Sequence, residues 1–206
     1  MAETLPGVVA GPSAEERRER LVEVYKEASE CVRCPLSETR NSVVFGAGNS
    51  DADLMFVGEA PGAEEDRQGL PFVGRAGKFL GELLEGIGMS REDVFINNVL
   101  CCRPPGNRDP QPEEIEHCRP WLEQRVELIQ PRVIGTLGNF ATKLLLSTKD
   151  GITKIRGQEF AFTRAGVGAT LVPTLHPAAV LRGGGQRLAE VRADFVKVKR
   201  VLGPGR

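Results

Sequence analysis

Leu54-Met55-Phe56-Val57-Gly58-Glu59-Ala60-Pro61-Gly62 is the most informative stretch for the architecture, because an apolar run stops here at a turn rich in glycine and proline. A short apolar run bounded by turn residues predicts a strand of a parallel sheet that is buried on both faces. We place this strand at Leu54–Gly58 and three more at Val94–Val99, Val133–Leu137 and Ala169–Thr174. Helical patterns separate the strands at about Ala76–Ile87, Pro112–Ile129 and Phe140–Leu146, and a last helix runs from Gln186 to Val201. The alternation predicts an α/β fold, a three-layer α/β/α domain with a central four-stranded parallel sheet.

The 206 residues, 40% of them hydrophobic, suffice for one domain with a buried core. Residues 1–12 show no periodicity and predict a disordered N-terminal tail, so the single domain should span residues 13–206. A first helix should begin after Ser13, which forms a capping-box pattern with Glu16, and its expected apolar stripe is Leu21, Val22, Tyr25 and Ala28. Ile152–Ile155 and Glu159–Thr163 predict a small hairpin before the last strand.

The overall charge and hydropathy exclude some classes of protein. A formal net charge of -1 gives no global basic field, although a local basic face can still bind nucleic acid. No apolar run approaches the roughly 20 residues that span a bilayer, and the first residues lack the pattern of a secretion signal. We therefore expect a cytoplasmic protein that does not bind membranes.

Five cysteines in a reducing compartment favour metal ligation over disulfides, and an odd number cannot all pair within the chain. Cys31 and Cys34 form a C-x2-C pair, and Cys102 and Cys118 could close a four-thiolate site. Zinc and a 4Fe-4S cluster both accept four cysteines, so the spacing leaves the two open. Cys101 should point away from the site, because neighbours on a strand face opposite sides. The alternative is that Cys102 and Cys118 are ordinary buried cysteines and that the C-x2-C pair arises by chance.

Four loops should converge at the carboxyl edge of the sheet, where ligands of such folds bind. These loops are Gly58–Gly62, Asn97-Asn98, Gly138-Asn139 and His176-Pro177.

The motifs of these loops, taken together, resemble those of family 4 uracil-DNA glycosylases. They are Gly58-Glu59-Ala60-Pro61-Gly62, Gly69-Leu70-Pro71-Phe72-Val73-Gly74-Arg75-Ala76-Gly77, Asn97-Asn98-Val99-Leu100-Cys101-Cys102-Arg103-Pro104-Pro105 and His176-Pro177-Ala178. The resemblance extends from about Cys31 to Leu202 and implies a 4Fe-4S cluster on Cys31, Cys34, Cys102 and Cys118. It also implies a monofunctional enzyme that flips uracil out of single- or double-stranded DNA and hydrolyses its N-glycosidic bond in base excision repair. We expect a monomer.

The chemistry of uracil excision suits the side chains at this edge. A flipped base is read at its Watson–Crick edge, and Asn98 offers an acceptor for uracil N3–H and a donor for O4. Phe72 could stack on the base, or it could be a core phenylalanine. His176 could donate a hydrogen bond to O2 as negative charge develops there, or it could be a structural imidazole.

The group that orients the attacking water is less evident. Family 1 glycosylases have an aspartate where this chain has Ala60. The Ala60 backbone carbonyl, Glu59 or Glu65 could orient the water instead. Glu65 could alternatively exclude the methyl group of thymine, and as a solvated loop charge it could have neither role.

DNA should be gripped around the same edge. The main-chain amides of the Gly58 to Gly62 turn can receive phosphate, and Arg103, Arg108 and Arg182 add positive charge. Leu181 is the candidate wedge that fills the gap left by the flipped nucleotide, unless it only packs locally.

Related classes make different predictions. UdgX-type glycosylases carry a Lys-Arg-Arg-Ile-His stretch after the Arg-Pro-Pro-Gly loop and bond covalently to the sugar, whereas this chain continues with Asn107-Arg108-Asp109-Pro110, so turnover is expected. A non-catalytic four-cysteine module that binds nucleic acid would explain the cysteines but not Asn98, Phe72 and His176. A nucleotide-binding enzyme is disfavoured, because the Gly58 to Gly62 turn matches neither GxGxxG nor a P-loop.

Overall fold

A computed structural model describes residues 12–204 of the protein. Its helices are α1 (Ala14–Ser29), α2 (Leu36–Thr39), α3 (Ala63–Gln68), α4 (Arg75–Glu85), α5 (Pro112–Ile129), α6 (Asn139–Leu146), α7 (Ile152–Ile155), α8 (Pro177–Gly183) and α9 (Gly185–Leu202). Its strands are β1 (Ala47–Gly48), β2 (Leu54–Gly58), β3 (Phe95–Asn98), β4 (Val133–Leu137), β5 (Phe160–Arg164) and β6 (Val167–Thr174). The predicted tail lies outside the described residues except for Pro12, and the single domain over 13–206 stays a prediction.

The α/β class is confirmed, but the sheet of the described chain has six strands rather than four. The order is β1-β3-β2-β4-β6-β5. The predicted strands form its centre, where β3, β2, β4 and β6 pair in parallel, and short antiparallel strands β1 and β5 flank them. The edge strand β1 escaped prediction because it has two residues, too few to show any periodicity. The other edge, β5, corresponds to the segment Glu159–Thr163 that was predicted as a hairpin strand outside the central sheet.

The predicted hairpin pairs the wrong segments. Ile152–Ile155 is a single turn of helix, and β5 pairs instead with the start of β6 through a tight turn at Ala165 and Gly166. Both turn residues have positive φ, 51° and 74°, as the hairpin turns that match strand twist require. The β-branched residues of the 152–155 segment favoured a strand, but propensity over four residues is weak and only Ile155 is buried.

Helices cover both faces of the sheet. On one face, α1, α5 and α6 pack on side chains such as Met55 and Val57, while on the other α4, α8 and α9 pack on Leu54 and Phe56. Alternate residues of β2 thus enter different cores, as the period of a strand requires. No helix within residues 12–204 is long and apolar enough to cross a membrane.

The first helix confirms the capping box, because Ser13 and Glu16 exchange side-chain to backbone hydrogen bonds of 3.3 and 2.7 Å. Its predicted stripe is wrong in part. Leu21, Val24 and Ala28 face the core, whereas Val22 and Tyr25 are half exposed. A core-facing residue recurs every three to four positions of a helix, and Val24 rather than Val22 keeps that spacing with Leu21.

Candidate active site and cysteine cavity

A cleft of about 450 Å³ opens at the carboxyl ends of the parallel strands, within the range of small-molecule sites. The predicted residues that line it are Glu59, Ala60, Gly62, Glu65, Phe72, Asn98, Arg108, His176 and Arg182. The loops that follow β2, β3 and β6 therefore converge as expected from a parallel sheet.

Asn98 ends β3 beside Gly58, its register partner on β2. The side chain is 1% exposed, and its Oδ1 has no hydrogen-bond partner within the described residues. Gly58 makes room for it, because a Cβ there would lie 2.4 Å from Asn98 Oδ1 and 2.7 Å from Phe72 Cζ. An unpaired buried acceptor costs free energy, so this oxygen is suited to a ligand that donates a hydrogen bond.

Phe72 lies in the loop before α4 and is buried at the cleft. Its φ of 52° is in the left-handed region, which a residue with a Cβ rarely adopts. Gly77 on α4 permits this path, since a Cβ there would lie 1.8 Å from the Phe72 carbonyl oxygen. The Phe72 and His176 rings lie 5.8 Å apart between centroids at 34°. The phenylalanine ring is thus a wall of the cleft shared with the imidazole.

His176 is the N-cap of α8, where its Nδ1 accepts a hydrogen bond of 3.1 Å from the Ala178 amide. Nδ1 therefore carries no proton, and in the neutral ring the proton is on Nε2. Burial, and secondly the charge of Arg182, lower the pKa of His176 to about 4. The imidazole is neutral at physiological pH and has one N–H left to donate. Gly138 backs this residue, because a Cβ there would meet His176 Cβ at 2.8 Å.

Two carboxylates in the cleft have different surroundings. Glu65 Oε1 accepts hydrogen bonds of 2.9 Å from both the Val73 and the Gly74 amides. Glu59 accepts no comparable hydrogen bond from residues 12–204, and burial, with a smaller contribution from the charge of Asp109, raises its pKa. Glu65 thus braces the loop that carries Phe72, whereas the carboxylate of Glu59 is not engaged in this way.

The predicted DNA-contacting residues are arranged in three ways. Arg182 is exposed at the cleft. Arg108 also lines it but pairs with Glu114 at 2.5 Å, while Arg103 donates to Asn107 Oδ1 at 2.7 Å outside the cleft lining. Leu181 is partly buried and packs against the core formed by α4, α8 and α9.

All five cysteines line one cavity between α1, α5 and the loop after β3, including Cys101. The expectation that Cys101 points away is wrong, because β3 ends at Asn98 and strand alternation no longer applies at residues 101 and 102. The Cys101 thiol hydrogen-bonds that of Cys118, and Arg40 donates to Cys102 Sγ at 3.5 Å. No three His, Cys, Asp or Glu side chains of residues 12–204 are grouped as a ready-made site for a metal ion.

Comparison with known proteins agrees with this geometry. Residues 45–199 match the model of the uracil DNA glycosylase superfamily. A type-4 uracil-DNA glycosylase of Archaeoglobus fulgidus is 43% identical over 189 residues, 90% of this chain and 94% of that protein. Proteins of the same description from Thermotoga maritima and Saccharolobus solfataricus are each 45% identical, over 90% and 87% of this chain and 96% and 85% of their own.

The chain belongs to the type-4 uracil-DNA glycosylases. The resemblance drawn from four short motifs is therefore confirmed. The matched residues 45–199 include the cleft and three of the five cysteines, Cys101, Cys102 and Cys118.

Several residues of this glycosylase site escaped the sequence analysis. Asp109 and Pro104 line the cleft, and Arg91 donates to the carbonyls of Phe72 and Pro71 at 2.9 and 2.7 Å. Arg125 is fully buried on α5 and donates to the carbonyl of Asn98 at 3.2 Å. An arginine in the middle of an apolar helix face was a usable signal for Arg125. Nothing local marks Arg91, since its partners lie about 20 positions away.

Proposed function

We propose that this protein excises uracil from DNA by hydrolysing the bond between the base and the sugar. The observation that carries the proposal is the buried, unpaired Oδ1 of Asn98 beside Phe72 and the Nε2–H of His176. Uracil offers N3–H to such an acceptor, whereas cytosine has an unprotonated N3. A mismatch of polarity leaves buried groups unpaired and is strongly rejected. The type-4 names of the relatives support the same substrate.

The proposed reaction breaks the bond between sugar C1′ and uracil N1, and the electron pair leaves with the base. The negative charge reaches uracil O2, where the neutral His176 would donate from Nε2. A water oxygen bonds to C1′, and Glu59 would accept its proton before passing it to solvent. The raised pKa of Glu59, which follows from its burial, makes its carboxylate a stronger base. Phe72 would stack against the base throughout.

A direct assay tests the function. The protein, incubated with end-labelled single- and double-stranded oligonucleotides that carry one uracil, should release free uracil and leave an abasic site. Oligonucleotides with thymine or cytosine at that position should stay intact. A preparation that binds both DNA forms without releasing uracil would instead support a non-catalytic binding module.

Glu59 and Glu64 form a matched pair for the base. Glu59→Gln should lower the rate of uracil release at least about 100-fold, the usual contribution of a positioned base, and should remove the acidic limb of the pH-rate profile. Glu64→Gln removes an exposed carboxylate that pairs with Arg67 and should leave both unchanged. An unaltered profile in Glu59→Gln would return the role to the Ala60 carbonyl.

We further propose that Cys31, Cys34, Cys102 and Cys118 hold a 4Fe-4S cluster. Thiolates are the ligands that such clusters require, and the cavity offers them together with positive charge from Arg40. The buried Nε1 of Trp121, which lines the cavity, has no hydrogen-bond partner within the described residues. Sulfur atoms accept such donors in iron-sulfur sites. The cluster would supply cross-links between distant segments, and no step of the hydrolysis passes through it.

A further inference from the structure

The Phe72 loop is held by a residue that does not line the cleft. Arg91 lies in the turn between α4 and β3, and its Nη1 and Nη2 donate to the carbonyls of Phe72 and Pro71 at 2.9 and 2.7 Å. Two N–H groups of one planar guanidinium thus fix two successive peptide carbonyls. Arginine alone has this fork, since lysine presents a point charge.

A second charged side chain holds the other side of the same loop. Glu65 on α3 accepts from the amides of Val73 and Gly74, the two residues that follow Phe72. The carbonyls before and at Phe72 and the amides after it are therefore bound by opposite charges. Four consecutive residues of the loop, 71 to 74, have a backbone group fixed by a side chain from another element.

Phe72 needs this restraint, because its left-handed backbone is costly for a residue with a Cβ. A strained residue persists only where its surroundings over-determine it. Without Arg91, rotation of the Phe72 backbone toward an ordinary φ would move the carbonyl away from Gly77 and the ring away from the cleft. The clamp therefore acts on the position of the ring rather than on the base.

We propose that Arg91 is a positioning residue that, with Glu65 opposite, keeps the Phe72 ring preformed as the stacking surface for the flipped base. The inference rests on the proposed function and deepens it, since it names what fixes the base-binding surface before DNA arrives. Preorganisation of this kind raises affinity by removing the cost of ordering on binding.

Binding of free uracil tests the clamp without DNA or chemistry, because on the proposed function the released base should compete with the flipped base for the cleft. The inhibition constant is measured for the unaltered protein, Arg91→Met, Phe72→Ala and the double variant. Loss of a stacking contact weakens binding by roughly 10-fold or more, so both single variants should show that change. The double variant should be no weaker than Phe72→Ala, since Arg91 acts only through that ring.

Three outcomes bear on the inference. Unchanged uracil binding in Arg91→Met, or multiplied losses in the double variant, would overturn it while uracil release by the unaltered protein keeps the proposed function intact. An unaltered protein that neither binds nor releases uracil would overturn both. Arg17→Met is the matched control, because Arg17 donates to the Leu128 carbonyl at 3.0 Å far from the cleft, and it should bind uracil normally. If Arg91→Met does not fold, Arg91→Lys decides, with weaker binding expected from its single ammonium.

Discussion

Asn97 and Asn98 are neighbours in sequence and are both buried, but only Asn98 lines the cleft. Asn97 Nδ2 donates to the Phe56 carbonyl at 3.2 Å, and Asn97 does not line the cleft, whereas Asn98 does. The buried Oδ1 of each amide has no hydrogen-bond partner within residues 12–204, so the position in the cleft is what distinguishes Asn98. The motifs pointed to Asn98, and Gly58, which leaves room for the Asn98 Oδ1, explains why this amide reaches the cleft. Alternation along a strand explains why only one of them reaches the cleft.

Alanine substitutions should separate the two amides. Asn98→Ala should lower uracil release at least about 100-fold, comparable to the loss of a transition-state contact, and should leave urea unfolding nearly unchanged, because Oδ1 makes no hydrogen bond to lose. Asn97→Ala should cost about 1–3 kcal/mol of unfolding free energy by leaving a buried group unpaired and should retain activity. Equal activities of the folded variants would contradict the assignment.

His176 allows a prediction about pH. Its pKa of about 4 in the folded protein lies below the ordinary histidine value of 6.5, so the imidazole is neutral over the range in which histidine usually titrates. Because the unfolded chain takes up this proton first, the stability contributed by neutral His176 is complete above pH 6.5 and falls as pH drops toward about 4.

Nuclear magnetic resonance of the imidazole nitrogens checks both the tautomer and the titration. The His176 signals should show an Nε2–H tautomer at neutral pH and should move only near pH 4. A His117→Gln variant assigns the two histidines of the chain. A protonated His176 at neutral pH would contradict the neutral-donor role.

Helix α4 was predicted within two residues of its observed bounds. The need for a glycine at position 77, where the helix passes the Phe72 carbonyl, was not predicted. Glycines inside a helix lower its stability, so Gly77 and Gly81 look alike in sequence. Only the structure distinguishes them, because a Cβ at Gly77 would strike the Phe72 carbonyl and one at Gly81 would meet nothing within 4 Å.

Alanine at each glycine tests this difference. Gly81→Ala should raise the unfolding free energy by about 0.5–1 kcal/mol through helix propensity and should leave uracil binding unchanged. Gly77→Ala should destabilise by about 1–3 kcal/mol as overpacking does and should weaken binding of free uracil. Urea unfolding and product inhibition measure the two effects, and normal uracil binding by Gly77→Ala would show that the loop tolerates displacement.

The sequence predicted the four central strands and the long helices because each carries a strong periodic pattern. It failed where few residues decide the structure. The segment Phe160–Arg164 joins the sheet through a turn at Ala165 and Gly166, a pair without the Asn-Gly signal of such turns. Likewise, the site side chains at strand ends were predictable from motifs, whereas Arg91 is set by contacts between distant segments that leave no local pattern.

Across the whole molecule, the cysteine cavity and the cleft share a buried charge. Arg125 donates to the carbonyls of Phe45 and Asn98 and also hydrogen-bonds the Cys101 thiol. One side chain therefore contacts both regions. Removing this buried arginine would leave the carbonyls that it binds unpaired. The loop after β3 therefore serves both regions at once.

Cysteine variants test the cluster at this scale. The purified protein should show a broad absorption band near about 400 nm, absent from Cys118→Ala and retained in Cys101→Ala. Loss of the band should lower the unfolding free energy by roughly 4 kcal/mol, the order expected for a cross-link that closes a long loop. If Cys118→Ala kept the band and Cys101→Ala lost it, Cys101 rather than Cys118 would be the fourth ligand.

The shape of the base cleft depends on the absence of a Cβ atom at Gly58. Gly58 and Asn98 stand abreast in adjacent strands, and a methyl group on the first would collide with both the amide and the Phe72 ring. A relative with alanine at this position would keep every polar group of the site, but we expect its displaced Asn98 and Phe72 side chains to prevent base binding. We therefore expect the residue at position 58 to distinguish homologues that excise uracil from homologues that share only the fold.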